Sequence, residues 1–549
     1  MESENETRDA SAAVAVFIAT AVMLWFGNGL TPWWPLMWLA PLPLLWFSLR
    51  SSWWSAALMS VCGWLAGSLN LLGYFRSLGI PFSVWLGNFG GIALIMATGV
   101  LLFRILVSRR AVWTGMVALP ALWVSVDWLR YWLTPHGTAA DLAYTQLGFL
   151  PFLQLASVTG PWGMTFLLLL VPAATAVVLH LREREPQRAT RVAFVVAGSL
   201  LAVLGFGTLR LNEPGQRQAV KVGLIASDAP ENDDVASSGA DAERLFSAYA
   251  VQAKTLAAHG AQVVVMPEKI AAVRDPGAST ADTIFQPMAD TTGVTIVAGE
   301  LHLSPGPKGM LKYNRAQVYT PHAAVASYDK EHMLPPFESS LTPGTAKLTV
   351  IHGGTTWGIA ICKDMDFTSM SVAYGRLGAS LMLVPGWDIN LDRTWHGHMA
   401  IMRGVEGGFS VARAAKNGYL TVSDDRGRVV SQTRSDSAPF ATLLAEVPVG
   451  HEATLFQSWG DWFAWVAVGL LGLVIVNAVR FGNRPPESRA QSQGYRDRRF
   501  MNSLRRKRSA DQSASIATCR TESQPAARMT SQPLSRLKSH SSRGAVPFG

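Results

Sequence analysis

The chain has 549 residues and a mass of 59.4 kDa, is 49% hydrophobic with 20 Trp, and has a mean hydropathy of +0.20, which excludes an ordinary soluble protein and also disorder along its whole length. Charged residues make up 15% of it, and the formal net charge of +9 sits at one end: from Arg484 onward fourteen Lys/Arg face four acidic residues, so the tail carries the whole excess. Cys62, Cys362 and Cys519 lie far apart with no Cys-x-x-Cys pattern, so neither a disulfide framework nor a structural zinc site is indicated.

Crossing about 30 Å of hydrocarbon takes roughly 17 to 25 apolar residues. Runs of about that length fall at 12–30, 33–49, 54–75, 81–107, 112–133, 161–181 and 191–209, with an eighth at 459–481. The second is short and holds Pro41 and Pro43, so it is expected to be kinked or to pair with the first as a hairpin. The acidic start MESENETRDA lacks the basic stretch of a cleavable signal, so the first span is expected to be retained. With the N-terminus inside, inner loops hold Arg50, Arg104, Arg109, Arg110, Arg182, Arg184, Arg188 and Arg191, whereas outer ends hold only Arg76 and Arg130. By the positive-inside rule residues 1–210 form a membrane domain of about seven spans, 211–455 lie outside the cytoplasm, 456–482 return, and 483–549 form a basic disordered cytoplasmic tail.

Within 211–455 short strand-like runs at 220–226, 262–266, 294–299, 355–362 and 380–385 alternate with helical stretches near 241–259, 281–290 and 392–407. That alternation implies an α/β layered domain. Three reactive residues follow such strands: Glu268 in VVVMPEK, Lys330 in VASYDKEHMLPPFE and Cys362 in WGIAICKDMDF. Cys362 precedes a helix expected near Asp366, whose N-terminus would favour thiolate; taken alone, a buried inert cysteine is the favoured reading. As a set the three supply a nucleophile, a base for its proton in Glu268, and a cation for a developing oxyanion in Lys330. Glu338, eight residues after Lys330, can orient that lysine or shuttle a proton.

This order, PE, then Y-x-K followed by PFE, then a cysteine after GxxIC, resembles the nitrilase (carbon-nitrogen hydrolase) superfamily. The stretch 402–430, MRGVEGGFSVARAAKNGYLTVSDDRGRVV, looks like its helix, strand and Asn-Gly turn. The span layout, with LWVSVDWLR (122–130) and LAYTQLGFLPFLQLASVTGPWG (142–163), is similar to the membrane-fused branch, the apolipoprotein N-acyltransferase family. The resemblance covers most of residues 30 to 480. It implies a polytopic α-helical membrane protein of about eight spans carrying an extracytoplasmic nitrilase-like αββα sandwich. It further implies Glu268 as general base, Lys330 as oxyanion stabiliser, Cys362 as acyl-accepting nucleophile and Glu338 as a fourth essential carboxylate.

The chain departs from the family at Lys363 and Asp364, where an aromatic and a glutamate usually stand, which marks both as possible substrate-cleft residues. Pro336-Phe337-Glu338 lacks the usual glycine, and Ala226-Ser227-Asp228 replaces a Gln-Gly-Asn stretch. The expected partners are a phospholipid acyl donor and a diacylglyceryl lipoprotein acceptor, at the bacterial inner membrane, with no metal or other cofactor, no nucleic acid and a monomeric enzyme. A membrane-anchored amidase using the same triad is the alternative, whereas the intact Glu268, Lys330 and Cys362 set argues against a non-catalytic lipid- or lipoprotein-binding scaffold. Asp127 and Arg130 read as a local ion pair or a headgroup contact. His396 and His398, two apart, are poorly spaced for a metal on a helix; Cys62 reads as packing, and Cys519 has no assigned role.

Overall fold

The apolar N-terminal third folds as helices because, away from water, a helix satisfies every backbone N–H and C=O within one segment. The computed structural model describes residues 2–213, 218–229, 239–275, 280–307 and 309–482; the expected basic tail at 483–549 and Cys519 lie outside the described residues. The bundle comprises α1 (Glu2–Gly27), α2 (Trp34–Met37), α3 (Leu42–Ser48), α4 (Trp53–Ser68), α5 (Leu72–Ser77), α6 (Phe82–Ser108), α7 (Val112–Leu133), α8 (Leu150–Leu153), α9 (Ala156–Leu181) and α10 (Pro186–Asn212). Among the described residues seven helical segments are long and apolar enough to cross a membrane, at Ala10–Gly27, Trp53–Ser77, Phe82–Ser108, Val112–Leu133, Ala156–Leu181, Pro186–Asn212 and Trp462–Arg480.

That count is one fewer than the eight expected. The second run is two short helices rather than a span-length one, because Pro41 has no N–H to continue a helix and disfavours helical geometry in the residue before it. The broken segment still runs the depth of the bundle: at one end Leu30 O accepts from Thr394 Oγ1 (3.1 Å), and at the other Ser48 O accepts from Arg104. Met37, Ala40, Leu44 and Leu45 along it are buried, and irregular backbone at membrane depth is tolerated where protein encloses it. Arg188 donates to Arg110 O (3.0 Å) near that same end. The basic loop residues therefore gather opposite the sandwich. Leu209, Phe194 and Leu201 project outward from α10 as an exposed apolar surface.

Next come β1 (Gln218–Ala226), α11 (Gly239–Ala258), β2 (Val263–Val265), β3 (Ala271–Arg274), α12 (Thr280–Thr292), β4 (Thr295–Gly306), β5 (Gly309–Tyr319) and β6 (Ala326–Asp329). They are followed by β7 (Leu348–His352), β8 (Thr355–Ile359), α13 (Thr368–Arg376), β9 (Ala379–Trp387), α14 (Trp395–Gly407), β10 (Ser410–Lys416), β11 (Tyr419–Ser423), β12 (Val429–Arg434) and β13 (Ala441–Val449). Then α15 (Leu455–Trp459) and α16 (Trp462–Gly482) lead back into the bundle. One sheet runs β13-β1-β2-β4-β5-β6 with β3 beside β4, the other β12-β11-β10-β9-β8-β7.

The inner strands β1-β2-β4 and β8-β9-β10 are parallel, each step crossed over through a helix, while the edges are antiparallel. The sheets meet face to face, β1, β2 and β4 against β9, β10 and β11, with α11 and α12 packed on one sheet and α13 and α14 on the other. The shared core is Val222, Leu224, Val265, Val297, Leu381, Leu383, Val411 and Val422, all buried. Buried on both faces, these strands carry continuous apolar runs instead of alternation.

Candidate active site

Parallel strands release their side chains at their carboxyl ends, where open α/β sheets hold their sites. Glu268 follows β2, Lys330 follows β6 and Cys362 follows β8, and the packing of the two sheets brings all three to one place. Lys330 Nζ donates to Glu268 Oε1 (2.9 Å) and to Glu338 Oε2 (2.8 Å). Asn314, on β5, bridges the same carboxylates, donating from Nδ2 to Glu268 Oε1 and, at 2.8 Å, to Glu338 Oε1. Glu338 also accepts from Lys269 Nζ (2.9 Å) and from the Leu334 N–H (2.9 Å). Glu338 is thus the hub that fixes the lysine. Glu268 Oε2 has no hydrogen-bond partner among the described residues.

Electrostatics follow from this packing. Burial pulls Lys330 down, but Glu268 and Glu338 overcome it and hold the ammonium charged. Burial pushes Glu338 up, and Lys330 and Lys269 outweigh it, keeping the carboxyl well below the usual carboxylate range. Burial, then Glu268, push the Cys362 thiol up, against the pull of Lys330 and Arg413. This balance favours the thiol over the thiolate, the opposite direction to that expected from a helix N-terminus. The geometric reason is that Cys362 opens a short 3-10 turn, Cys362–Asp366, and α13 begins only at Thr368. Cys362 itself has φ +43°, a left-handed backbone unusual for a non-glycine residue, and this elbow turns the sulfur off the end of β8. The thiol lies 3.5 Å from Trp387 O.

Two expected cleft residues fall elsewhere. Asp364 is fully buried: Oδ1 accepts from the Glu331 and His332 N–H groups and Oδ2 from Tyr328 (2.8 Å) and the Ile361 N–H. It pins the Lys330 segment to the Cys362 elbow. Lys363 is buried too, its Nζ 3.2 Å from Asp366 Oδ2, and with His396 it outweighs burial to hold Asp366 well below the usual carboxylate range. Both are used up inside the protein. Arg130 pairs with Asp127 (3.4 Å) and donates to Ala139 O, so this pair anchors the loop after α7. No cluster of potential metal ligands exists among the described residues. Asn314, Lys269 and Arg413 were missed from sequence; Lys269 adjoins Glu268 and offered a signal, whereas the other two become visible only through strand register.

The bundle reaches this site directly. Thr138 donates from N (3.0 Å) and Oγ1 (2.7 Å) to Asp366 O, and Gly137, φ +56°, leaves the room: a Cβ there would lie 2.7 Å from that oxygen. On the bundle side of this loop lies a small cavity of about 50 Å³ walled by Trp64, Phe89, Ile92 and Trp123, with Asp127, Arg130 and His398 at its polar end.

Comparison with known proteins gives matches along most of this architecture. Residues 20–174 match the family model for the apolipoprotein N-acyltransferase N-terminal domain, and residues 236–460 that for carbon-nitrogen hydrolase. An apolipoprotein N-acyltransferase of Geobacter metallireducens is 26% identical over 67% of this chain and 74% of its own length. That of Caulobacter vibrioides is 26% identical over 76% and 86%. Among solved structures, a nitrilase-superfamily member from Saccharomyces cerevisiae, Nit3, aligns with 42% of this chain and 90% of its own (21% identity, TM-score 0.36). An amidase from Nesterenkonia sp. aligns with 46% and 99% (20% identity, TM-score 0.36).

Proposed function

Because the chain belongs to the apolipoprotein N-acyltransferase family, and is accordingly an acyltransferase, we propose that it moves a fatty acyl chain from a phospholipid ester, through a thioester on Cys362, to the N-terminal amine of a diacylglyceryl-cysteine lipoprotein. One observation carries the mechanism: Glu268, whose charge acts on the Cys362 thiol, is tied through Oε1, leaving Oε2 without a partner among the described residues. A base is needed and one is present.

As the sulfur bonds to the ester carbonyl carbon, its proton passes to Glu268 and the carbonyl oxygen gains charge facing Lys330. The C–O bond then breaks, and the departing lyso-lipid oxygen takes the proton back. In the second half the lipoprotein amine attacks the thioester, Glu268 takes a proton from nitrogen, and the C–S bond breaks. The thiolate is reprotonated and the cycle closes with the acyl group on nitrogen. Glu338 holds Lys330 throughout.

Long apolar helices suit two lipid substrates. In this reading residues 1–210 and 456–482 hold a monomeric enzyme in the inner membrane, and 211–455 act beyond the cytoplasm. The basic loop ends would then face the cytoplasm, as the charge bias favours.

The test is mass spectrometry of the full protein in detergent after incubation with phospholipid, beside Cys362→Ala, followed by a diacylglyceryl-cysteine peptide. The expected result is an acyl mass on Cys362 of the wild type alone that moves to the peptide amine. An adduct removed by water but not by the peptide would replace this reading with a hydrolase. No adduct from any lipid donor would end it.

A further inference from the structure

Cys362 lies between two cations brought by different elements. Lys330, with its carboxylates, reaches it from one sheet; from the other, Arg413 on β10 brings Nη2 to 3.8 Å from Sγ. Arg413 is 1% exposed, and Asp388 grips its guanidinium at 2.7 and 2.5 Å. The Asp388 N–H is in turn tied to Lys416 O (2.9 Å).

Two glycines shape the slot for this pair. A Cβ on Gly386 would lie 3.1 Å from both Cζ and Nη2 of Arg413, and one on Gly418 would lie 2.2 Å from Asp388 Oδ2. The register of β9 and β10 sets Gly386 opposite Ala415, two residues beyond Arg413, so the glycine lies diagonally across from the arginine. A buried ion pair is a poor way to stabilise a fold, since desolvation cancels much of the attraction. What distinguishes this one is the atom that the free edge of its fork touches.

We infer that Arg413, clamped by Asp388, is a catalytic residue that stabilises negative charge on the Cys362 sulfur, leaving Lys330 to the carbonyl oxygen. The inference rests on the proposed role of Cys362 as acyl carrier. Charge appears on sulfur twice: when the thiol proton leaves for Glu268, and when the C–S bond of the thioester breaks and its electron pair returns to sulfur. A cation 3.8 Å away in a water-poor pocket favours both steps. The groups facing the thiol are Glu268 after β2, Lys330 after β6, Asp388 after β9 and Arg413 on β10; burial and the two carboxylates push it up, and the two cations pull it down.

The experiment is the rate of Cys362 alkylation by iodoacetamide across pH 6.5 to 9, read on the Cys362 peptide by mass spectrometry, in full-length protein in detergent without any lipid. Arg413→Gln is expected to alkylate about fivefold or more slowly at each pH, after allowing for the greater nucleophilicity of a more basic thiolate. Arg413→Lys should recover most of that loss. Asp388→Asn, which leaves the arginine charge uncompensated, should alkylate faster. A merely structural pair would not move the two variants in opposite directions, so equal rates, or slowing in both, would overturn the inference. If Arg413→Gln does not fold, Gly386→Ala, which crowds the guanidinium, replaces it; an unchanged rate there has the same meaning. Because no acyl donor enters, failure here is separate from failure of the acyl-transfer reading, which the adduct experiment decides.

Discussion

The inter-sheet core is apolar throughout, whereas the seam between sandwich and bundle adds hydrogen-bonded pairs to an apolar cluster of Phe152, Leu153, Met164, Met399, Met402 and Val405. Inside the sandwich Val222, Leu224, Val265, Leu383 and Val411 touch through apolar surface alone, a force that is strong but non-directional. Across the seam, side chains meet in pairs: Tyr74 with Asp392 (2.6 Å), Thr138 with Asp366 O, Arg403 with Tyr144 (3.0 Å) and Gln154 with Arg426 O (2.8 Å). Asp461, at the head of α16, accepts from Trp128 and Trp162 within the bundle and from Thr368 of the sandwich (3.4 Å). Apolar contact alone would let two bodies slide, whereas hydrogen bonds fix an angle and a register. An enzyme whose substrates would arrive from the bilayer needs that fixed angle, and the seam supplies it.

The sharpest way to break the seam is Arg403→Met. It leaves Glu406, which Arg403 holds at 2.7 Å, buried with its charge unpaired; burial already pushes that carboxyl up to about 7 against the arginine's pull. Removing one partner of a buried pair costs about 3–5 kcal/mol, to be read by denaturant or thermal unfolding, and Arg403→Met with Glu406→Gln should recover part of it. Leu383→Ala attacks the other region and should cost about 3 kcal/mol through the cavity it leaves, with transfer per folded molecule nearly unchanged. If Leu383→Ala slowed transfer as much as it lowered stability, the division of labour drawn here would fail.

Two histidines at the seam give the comparison a pH axis. Burial pulls His396 down, but Asp366 and Asp392 outweigh it and raise it to about 9; burial alone lowers His398 to about 4. A raised histidine stabilises fully below its unfolded value near 6.5 and loses that contribution as pH climbs to about 9. A lowered one stabilises above 6.5 and loses its contribution as pH falls towards 4. Taken by themselves these two groups place the stability maximum near pH 6.5. His396→Gln should flatten the alkaline limb and His398→Leu the acid limb, measured as unfolding midpoint against pH; a variant that flattened the opposite limb would refute the assignment. Smallest in stability is Thr138→Val, at about 1–2 kcal/mol for a hydroxyl that bonds both Asp366 O and Tyr144 Oη, yet it loosens the contact four residues past Cys362. Its transfer rate should fall further than that of Leu383→Ala.

Strands buried on both faces were easy to read. β2, β8 and β9 are dense apolar runs ending at Glu268, Cys362 and Trp387, and the reactive residues follow where the runs stop. β5 and β12 were not read, because exposed positions and Gly, Asn and Gln dilute their pattern. The Pro41 break was visible as composition, but its outcome depended on neighbours that enclose irregular backbone. Asp364 misled for a related reason: the nucleophile's neighbour in sequence turns inward, and only the three-dimensional position of Tyr328 and the His332 segment reveals its bonds. Arg413 was illegible for want of register, since nothing local says that a β10 arginine will lie diagonally across from a β9 glycine.

The broken second crossing bears on how the protein is made. α2 and α3, of four and seven residues, are each too short to hold a stretch of chain in hydrocarbon, and the turn between them has backbone groups that lipid cannot satisfy. Their shelter comes from neighbours, beginning with α1, which the Trp33 N–H ties back through Phe26 O (2.7 Å). The segment thus depends on α1 for its shelter, and a defect in α1 is expected to surface as a misplaced second crossing.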